Sequence, residues 1–211
     1  MEIKPVTLEG KHVRLEPVRL DHVAALWRVG AYEEIWGYMP YTVRSEDDMR
    51  IFIEAELRKQ QAGFAFRFAT IVKPSEQLVG STSYLNIDRQ HRRLEIGGTW
   101  ITPSWQRSPV NTEAKYLQLS HAFETLECIR VEFKTDSLNV KSRQALARIG
   151  AVEEGTFRNH MVMPDGRLRH SVYFSIIDRE WPSVKTLLER LMLSYGDEAH
   201  KENVNNKATD R

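Results

Sequence analysis

The spacing of apolar positions along the chain changes several times, and each change marks an element boundary. From His12 to Pro17 apolar and polar residues alternate, which predicts a strand with one buried face. The segment Asp21-His22-Val23-Ala24-Ala25-Leu26 shifts to helical spacing, with a cap expected near Asp21. Between Ser45 and Ala62, Met49, Phe52, Ile53 and Leu57 share a helical face behind Ser45 and Asp48, the pattern of an N-cap and its return partner. Gly63 stops that helix. Three close-set runs follow, Ala65 to Val72, Leu78 to Ile87 and Arg93 to Ile101, separated by turn-forming residues, and they predict an antiparallel meander.

After Ile101 helices and strands alternate. A helix from Val110 to Leu126 carries Ala114, Leu117, Ala122 and Leu126 on one side, and a strand from Arg130 to Thr135 follows. The next helix, Val140 to Ile149, ends at Gly150 in the manner of a left-handed C-cap. Two long strands, Glu153 to Met163 and Arg167 to Ile177, flank the turn Pro164-Asp165-Gly166. A final amphipathic helix from Glu180 to Leu193 leads into a polar stretch, and residues 196–211 read as a disordered tail. The order predicts a single domain over residues 1–195, a mixed sheet with helices on both faces.

Charge and composition narrow the classes. The 211 residues carry 30 basic and 29 acidic side chains, so no bulk field draws in nucleic acid or an anionic membrane. No apolar run approaches the ~18 residues of a membrane helix, and the expectation is a soluble cytoplasmic protein. Cys128 is the single cysteine, which excludes an intrachain disulfide and a cysteine-based metal site. Lying between Leu126 and Ile129, it reads as a buried structural thiol. The histidines, at 12, 22, 91, 121, 160, 170 and 200, show no metal-ligand spacing, so no metal is expected.

The stretch Ile101 to Ala114 carries the first candidate chemistry. A strand breaks into a polar loop that opens directly into a helix, aiming main-chain N–H groups and the positive end of a helix dipole at one spot. That is a generic phosphate site. Pro109 suits the first helical turn because its φ is preset, yet it removes one donor from the cradle.

Four segments, RRLEIGGTWI, QRSPVNTEAK, RVEFKTD and NVKSRQALARIGA, together with the element order, resemble the GNAT superfamily of acyl-CoA-dependent N-acetyltransferases. The resemblance runs from about Leu8 to Glu180 and is nearest to the branch that includes the ribosomal-protein N-terminal acetylases. It implies an α/β (α+β) fold, a mixed, mostly antiparallel twisted sheet of about seven strands. The family's fourth and fifth strands splay into a V-shaped slot for acetyl-CoA, the acyl donor. Main-chain groups of Trp100, Ile101 and Thr102 would hold the pantetheine arm, and Gly97-Gly98 falls where the family has a β-bulge.

The family's pyrophosphate loop reads Gln or Arg, two residues, Gly, one residue, Gly or Ala. Here Gln106 to Asn111 match it with both glycine positions changed, to Pro109 and Asn111. A hydrogen bond to a charged group contributes about 1.5–3 kcal/mol, or about 10- to 150-fold in affinity, so retained but weakened binding is expected. By the resemblance the loop residues are Arg107, Ser108, Pro109, Val110, Asn111 and Thr112, and Arg107 or the hydroxyls of Ser108 and Thr112 could offset the lost donor.

The resemblance also implies the catalytic groups. Glu95 is the candidate base for the attacking amine, directly or through water. Asn139 would bond the amides of the arm, and Ser142 would give a proton to, or hydrogen-bond, the leaving thiolate. Asn139 also reads as a plain N-cap with Ser142 one turn in, and the two roles are compatible. The cluster Trp36, Tyr38, Met39, Pro40 and Tyr41 falls where the family places a substrate lid. Trp36, Tyr38 and Tyr41 are candidates for an acceptor pocket, and equally for core. The expected activity is acetyl transfer to a primary amine, a protein N-terminus or a small molecule, by direct attack. The alternative is a CoA-binding sensor whose altered loop reflects lost catalysis. The C-terminal helix and long hairpin could pair two copies across a two-fold.

Overall fold

The computed structural model describes residues 1, 3–73 and 75–194. The strands are β1 Leu8–Glu9, β2 Val13–Pro17, β3 Phe66–Val72, β4 Gln77–Asp88, β5 Arg93–Ile101, β6 Arg130–Asp136, β7 Val152–Val162 and β8 Leu168–Ile177. They form one eight-stranded sheet in the order β1-β2-β3-β4-β5-β6-β8-β7. The addition to the expected seven is β1, two residues paired with Leu15 and Arg14 of β2. The helices are α1 Val23–Gly30, α2 Glu33–Trp36, α3 Glu46–Gln61, α4 Pro109–Ser120 and α5 Val140–Arg148, with α6 over residues 181–194. The residues of the expected polar tail lie outside those described.

Side-chain alternation along the strands divides the core. One face carries Val13, Leu15, Phe68, Tyr84, Leu94, Ile96, Val131, Phe133 and Val172 against Val110, Leu119, Leu146, Val184 and Leu188 of α4, α5 and α6. The other carries Val18 and Trp100 against Leu26, Trp36, Met49 and Ile53 of the first three helices. Those three helices pack against the β1–β5 half, while on the second face of β6 and β8 Asp136, Arg169, Ser171 and Ser175 are buried, with the loop after α2 fastened there through Arg169.

Local chemistry explains most element starts. Ser45 Oγ accepts from the Asp48 main-chain N–H at 3.0 Å, while the Asp48 carboxylate reaches back to the Arg44 N–H at 2.9 Å. The first helix departs from expectation. A 3-10 turn over Leu20–His22 precedes α1, and the turn is held by the Arg19 N–H donating to His22 Nδ1 at 3.3 Å rather than by a cap from Asp21. Asp21 instead pairs with the Arg19 guanidinium at 3.1 Å.

The helix expected to reach Leu126 is α-helical only to Ser120, then makes a π-turn over His121–Thr125. The Tyr84 hydroxyl donates to the Gln118 carbonyl at 2.7 Å, and its ring stacks on His121 at 6.0 Å. A side chain inserted at the helix ladder is a known cause of such a bulge. Cys128 is buried, and burial pushes its thiol up to about 11.

Glu113 ties the N-terminal strands to α4. Its carboxylate, 4% exposed, accepts from the main-chain N–H groups of Lys11, His12 and Val13 at 2.8, 2.7 and 2.7 Å. A charged acceptor there satisfies buried donors that β1 and β2 leave unpaired.

Candidate active site

The site grows from one topological feature. β5 and β6 are neighbours and parallel, but they pair only through Arg93–Glu95 and Arg130–Glu132. Beyond Glu95 each strand stays with its other neighbour: β5 follows β4 to Ile101, and β6 follows β8 to Asp136. The sheet therefore splits into two wings that open toward the C-terminal ends of β5 and β6. Both strands are followed by a helix, α4 and α5, so two helix N-termini lie at the wide end of the V. That arrangement favours an anion.

Glu95 sits at the closed end. It is 2% exposed; Asn86 Nδ2 donates to Oε2 at 2.7 Å, and Lys134 Nζ lies 3.4 Å from the same oxygen. Burial raises its pKa, Lys134 and Asn86 act in the lowering direction, and Glu132 adds to the rise. A carboxylate placed in this way is a stronger base than an exposed one. Its carboxylate folds over Gly97, where a Cβ would stand 2.7 Å from Oε1. At the next residue β5 takes an extra residue between its pairs with Ser83 and Ser81, and Gly98 has φ +57°. This is the expected bulge, and glycine suits its left-handed backbone.

At the mouth, Ser108 caps α4: its hydroxyl donates to the Trp105 carbonyl at 2.6 Å and accepts from the Val110 N–H at 3.4 Å. Pro109 follows as the first helical residue. With the Val110 N–H held by Ser108 Oγ and Pro109 supplying none, the first turn keeps the Ser108 and Asn111 N–H groups as main-chain donors. Arg107 is exposed with φ +59°. Thr112 is turned from the mouth: one turn into the helix, its buried hydroxyl accepts from Arg148 Nη2 at 3.0 Å. Asn139 is the N-cap of α5, its Oδ1 accepting from the Ser142 N–H at 3.0 Å, and Ser142 is half-buried in the first turn. Trp100, Ile101 and Thr102 line the far end of β5, all buried. This donor set, main-chain N–H groups at two helix starts beside a guanidinium, fits a phosphate-bearing ligand with an amide-containing arm.

The aromatic candidates separate. Trp36 is 4% exposed, donates through Nε1 to the Gly30 carbonyl at 2.9 Å and packs on Trp100 with ring centres 5.5 Å apart. It belongs to the core, because α1 and α3 close over it. Tyr41 stacks on Phe52 at 4.6 Å in the same cluster. Tyr38 is exposed, and its carbonyl accepts from Arg169 Nη1 at 3.1 Å, which fastens the loop after α2 to β8.

Several site residues were missed from the sequence. On the second face Glu132, Lys134 and Asp136 of β6 lie opposite Ser175, Tyr173 and Ser171 of β8. Arg169 is buried among them, its Nε donating to Ser171 Oγ at 3.1 Å, and Arg167 pairs with Asp136 at 2.7 Å. Phe157 and His160 of β7 meet the Tyr173 ring at 4.7 and 5.8 Å. The available signal was the alternation of charged and apolar residues along RVEFKTD, a strand with apolar side chains on one face and charged ones on the other.

The sheet parts between β5 and β6, as the resemblance implies, and the sequence comparison gives the class. The chain belongs to the acetyltransferase (GNAT) domain family, whose model matches residues 12–152. It is 32% identical over 150 residues to the Bacillus subtilis (strain 168) protein YdaF, whose name proposes a ribosomal N-acetyltransferase; the match covers 71% of this chain and 80% of that one. Among solved structures, a GCN5-related N-acetyltransferase from Brucella melitensis superposes with TM-score 0.84 at 29% identity, covering 90% of this chain and 86% of the other. The fold is also that of Mycobacterium smegmatis RimJ, solved in complex with CoA-disulfide: TM-score 0.78, 23% identity, 89% and 95% covered.

Proposed function

We propose that the protein transfers the acetyl group of acetyl-CoA to a primary amine by direct attack, with a protein N-terminus as the acceptor class. The observation that carries this reading is the buried Glu95 at the vertex of a slot whose mouth is set by two helix N-termini. Acetyl-CoA supplies the thioester. The main chain at Trp100–Thr102 orients the arm, while Arg107 and the first turn of α4 hold the phosphates. Glu95 takes a proton from the amine as its nitrogen bonds to the acetyl carbon; as the carbon–sulfur bond breaks Ser142 gives a proton to the sulfur and is reprotonated from solvent, and Glu95 returns its proton to solvent. No enzyme nucleophile is needed.

An α-amino group, with pKa about 7.7–8.0, is partly neutral near pH 7, whereas a lysine near 10.4 is almost wholly charged. A weak base therefore suffices for an N-terminus. The exposed edge strand β7 beside the site supports a polypeptide acceptor, since an extended chain can lie along it. The name carried by YdaF points the same way.

The test is thiol release from acetyl-CoA with a panel of N-terminal peptides and small amines. Peptide-dependent release is expected, whereas binding without acceptor-dependent turnover would favour the sensor reading. Ser142→Ala should lower turnover and leave acetyl-CoA affinity nearly unchanged. Calorimetry of Pro109→Gly should show tighter binding, because it returns a donor to the loop; unchanged affinity would refute the weakening assigned to Pro109.

A further inference from the structure

Behind the bulge of β5, on the α3 side of the sheet, lies a closed ionic cluster that the transfer reaction does not use. Arg67 of β3 and Glu56 of α3 are 2% and 3% exposed, and Arg67 Nε meets Glu56 Oε2 at 2.9 Å. The other Glu56 oxygen takes Lys59 Nζ at 2.7 Å. The guanidinium carbon lies 4.7 Å from the centre of the Phe52 ring. Arg67 Nη1 then donates to Ser81 Oγ at 3.0 Å and to the Gly98 carbonyl at a longer 3.4 Å. A Cβ on Gly98 would stand 2.8 Å from Arg67 Nη2, so bulge and guanidinium are fitted to each other.

Burying such a pair is a poor route to stability, because apolar side chains of similar volume are often as good or better. What the cluster does hold is one peptide plane. The peptide unit is planar and trans, so fixing the Gly98 carbonyl on the α3 side fixes the Thr99 N–H in the opposite direction, and the cation polarises it. That plane sits between Glu95 and the main-chain groups of Trp100–Thr102, at the residue where β5 bends away from its closed end.

We infer that Arg67, anchored by Glu56, is a positioning residue for the acyl donor: it sets the orientation of β5 from Thr99 to Thr102 relative to Glu95. The inference rests on the proposed acetyl-CoA site and adds a residue that touches neither donor nor acceptor.

The test compares two ligands by calorimetry: CoA, and adenosine 3′-phosphate 5′-diphosphate, the same molecule without its arm. The variant is Glu56→Gln with Arg67→Met, which leaves no unpaired buried charge. CoA affinity should fall about 3- to 10-fold, the scale of one lost main-chain hydrogen bond, while the armless ligand binds as to the parent. CoA binding equal to the parent's, or an equal loss for both ligands, would overturn the positioning role. Should the double variant melt far below the parent, Arg67→Lys gives the same two-ligand comparison, since it keeps a cation beside Glu56 and withdraws the forked donors from the Gly98 carbonyl. A parent chain that binds neither ligand refutes the proposed function and this inference with it.

Discussion

The two wings of the sheet use the same kinds of charged residue for different ends. In the β1–β5 wing, layered by helices on both faces, ionic groups are closed on themselves. Glu113 is spent on main-chain N–H groups, Glu56 on Arg67, and Lys115 of α4 on hydroxyls, its Nζ 3.0 Å from Thr99 Oγ1. In the wing of β6, β8 and β7, Asp136 is closed on Arg167, but Lys134 stays partly exposed beside Glu95 and β7 is exposed along nearly its whole length. Glu95 stands at the seam and is sheltered enough to have a raised pKa while bordering the open side. Coverage, more than residue type, separates charges that hold the fold from charges that do chemistry.

The strongest break of that contrast is Glu95→Gln. It should lower acetyl transfer at least about 100-fold, the scale of losing a positioned base, with the melting temperature nearly unchanged. A comparable rate in the variant would remove Glu95 from the reaction. Glu113→Ala is its counterpart in the covered wing. Stranding three main-chain donors should cost about 3–5 kcal/mol and lower the melting temperature by roughly 10 °C, while transfer measured well below that temperature persists.

Lys134→Met tests the seam. Lys134 acts to lower the Glu95 pKa, so its loss should move the ascending limb of the pH–rate profile to higher pH. A limb that stays in place would mean that Glu95 is not the titrating base.

The smallest effect, and one of opposite sign, belongs to Lys115→Met. Burial without an acidic partner pushes the Lys115 amine down from 10.5 to about 7. Between those values the unfolded chain holds a proton that the folded chain does not, so this lysine makes stability rise with pH from about 7 to 10.5 and costs stability below. Methionine should raise the melting temperature at pH 7 by a few degrees and flatten that rise.

Where structure depends on neighbours in sequence, it was legible. The Ser45 cap, the β3–β5 meander and the Pro164-Asp165-Gly166 hairpin all depend on residues a few positions apart. The start of α1 was misjudged because Arg19 and His22 cap each other with groups that give no standard cap signature. The π-turn at His121 was invisible because its cause, the hydroxyl of Tyr84, comes from β4. Asn86, Lys134 and Arg169 were missed for the same reason, since each reaches the site from a different strand.

The sequence by itself determined the order and type of the main strands and helices, the loop that opens into α4, and, through its resemblance, the family. Those rest on short-range backbone preferences and apolar periodicity, which are written into consecutive residues. Only the tertiary structure decided that Trp36 is core, that the Thr112 hydroxyl turns toward Arg148, and that Glu95 lies where two parallel strands part. Those outcomes follow from which surfaces cover which, a property of strands and helices brought together from distant parts of the chain.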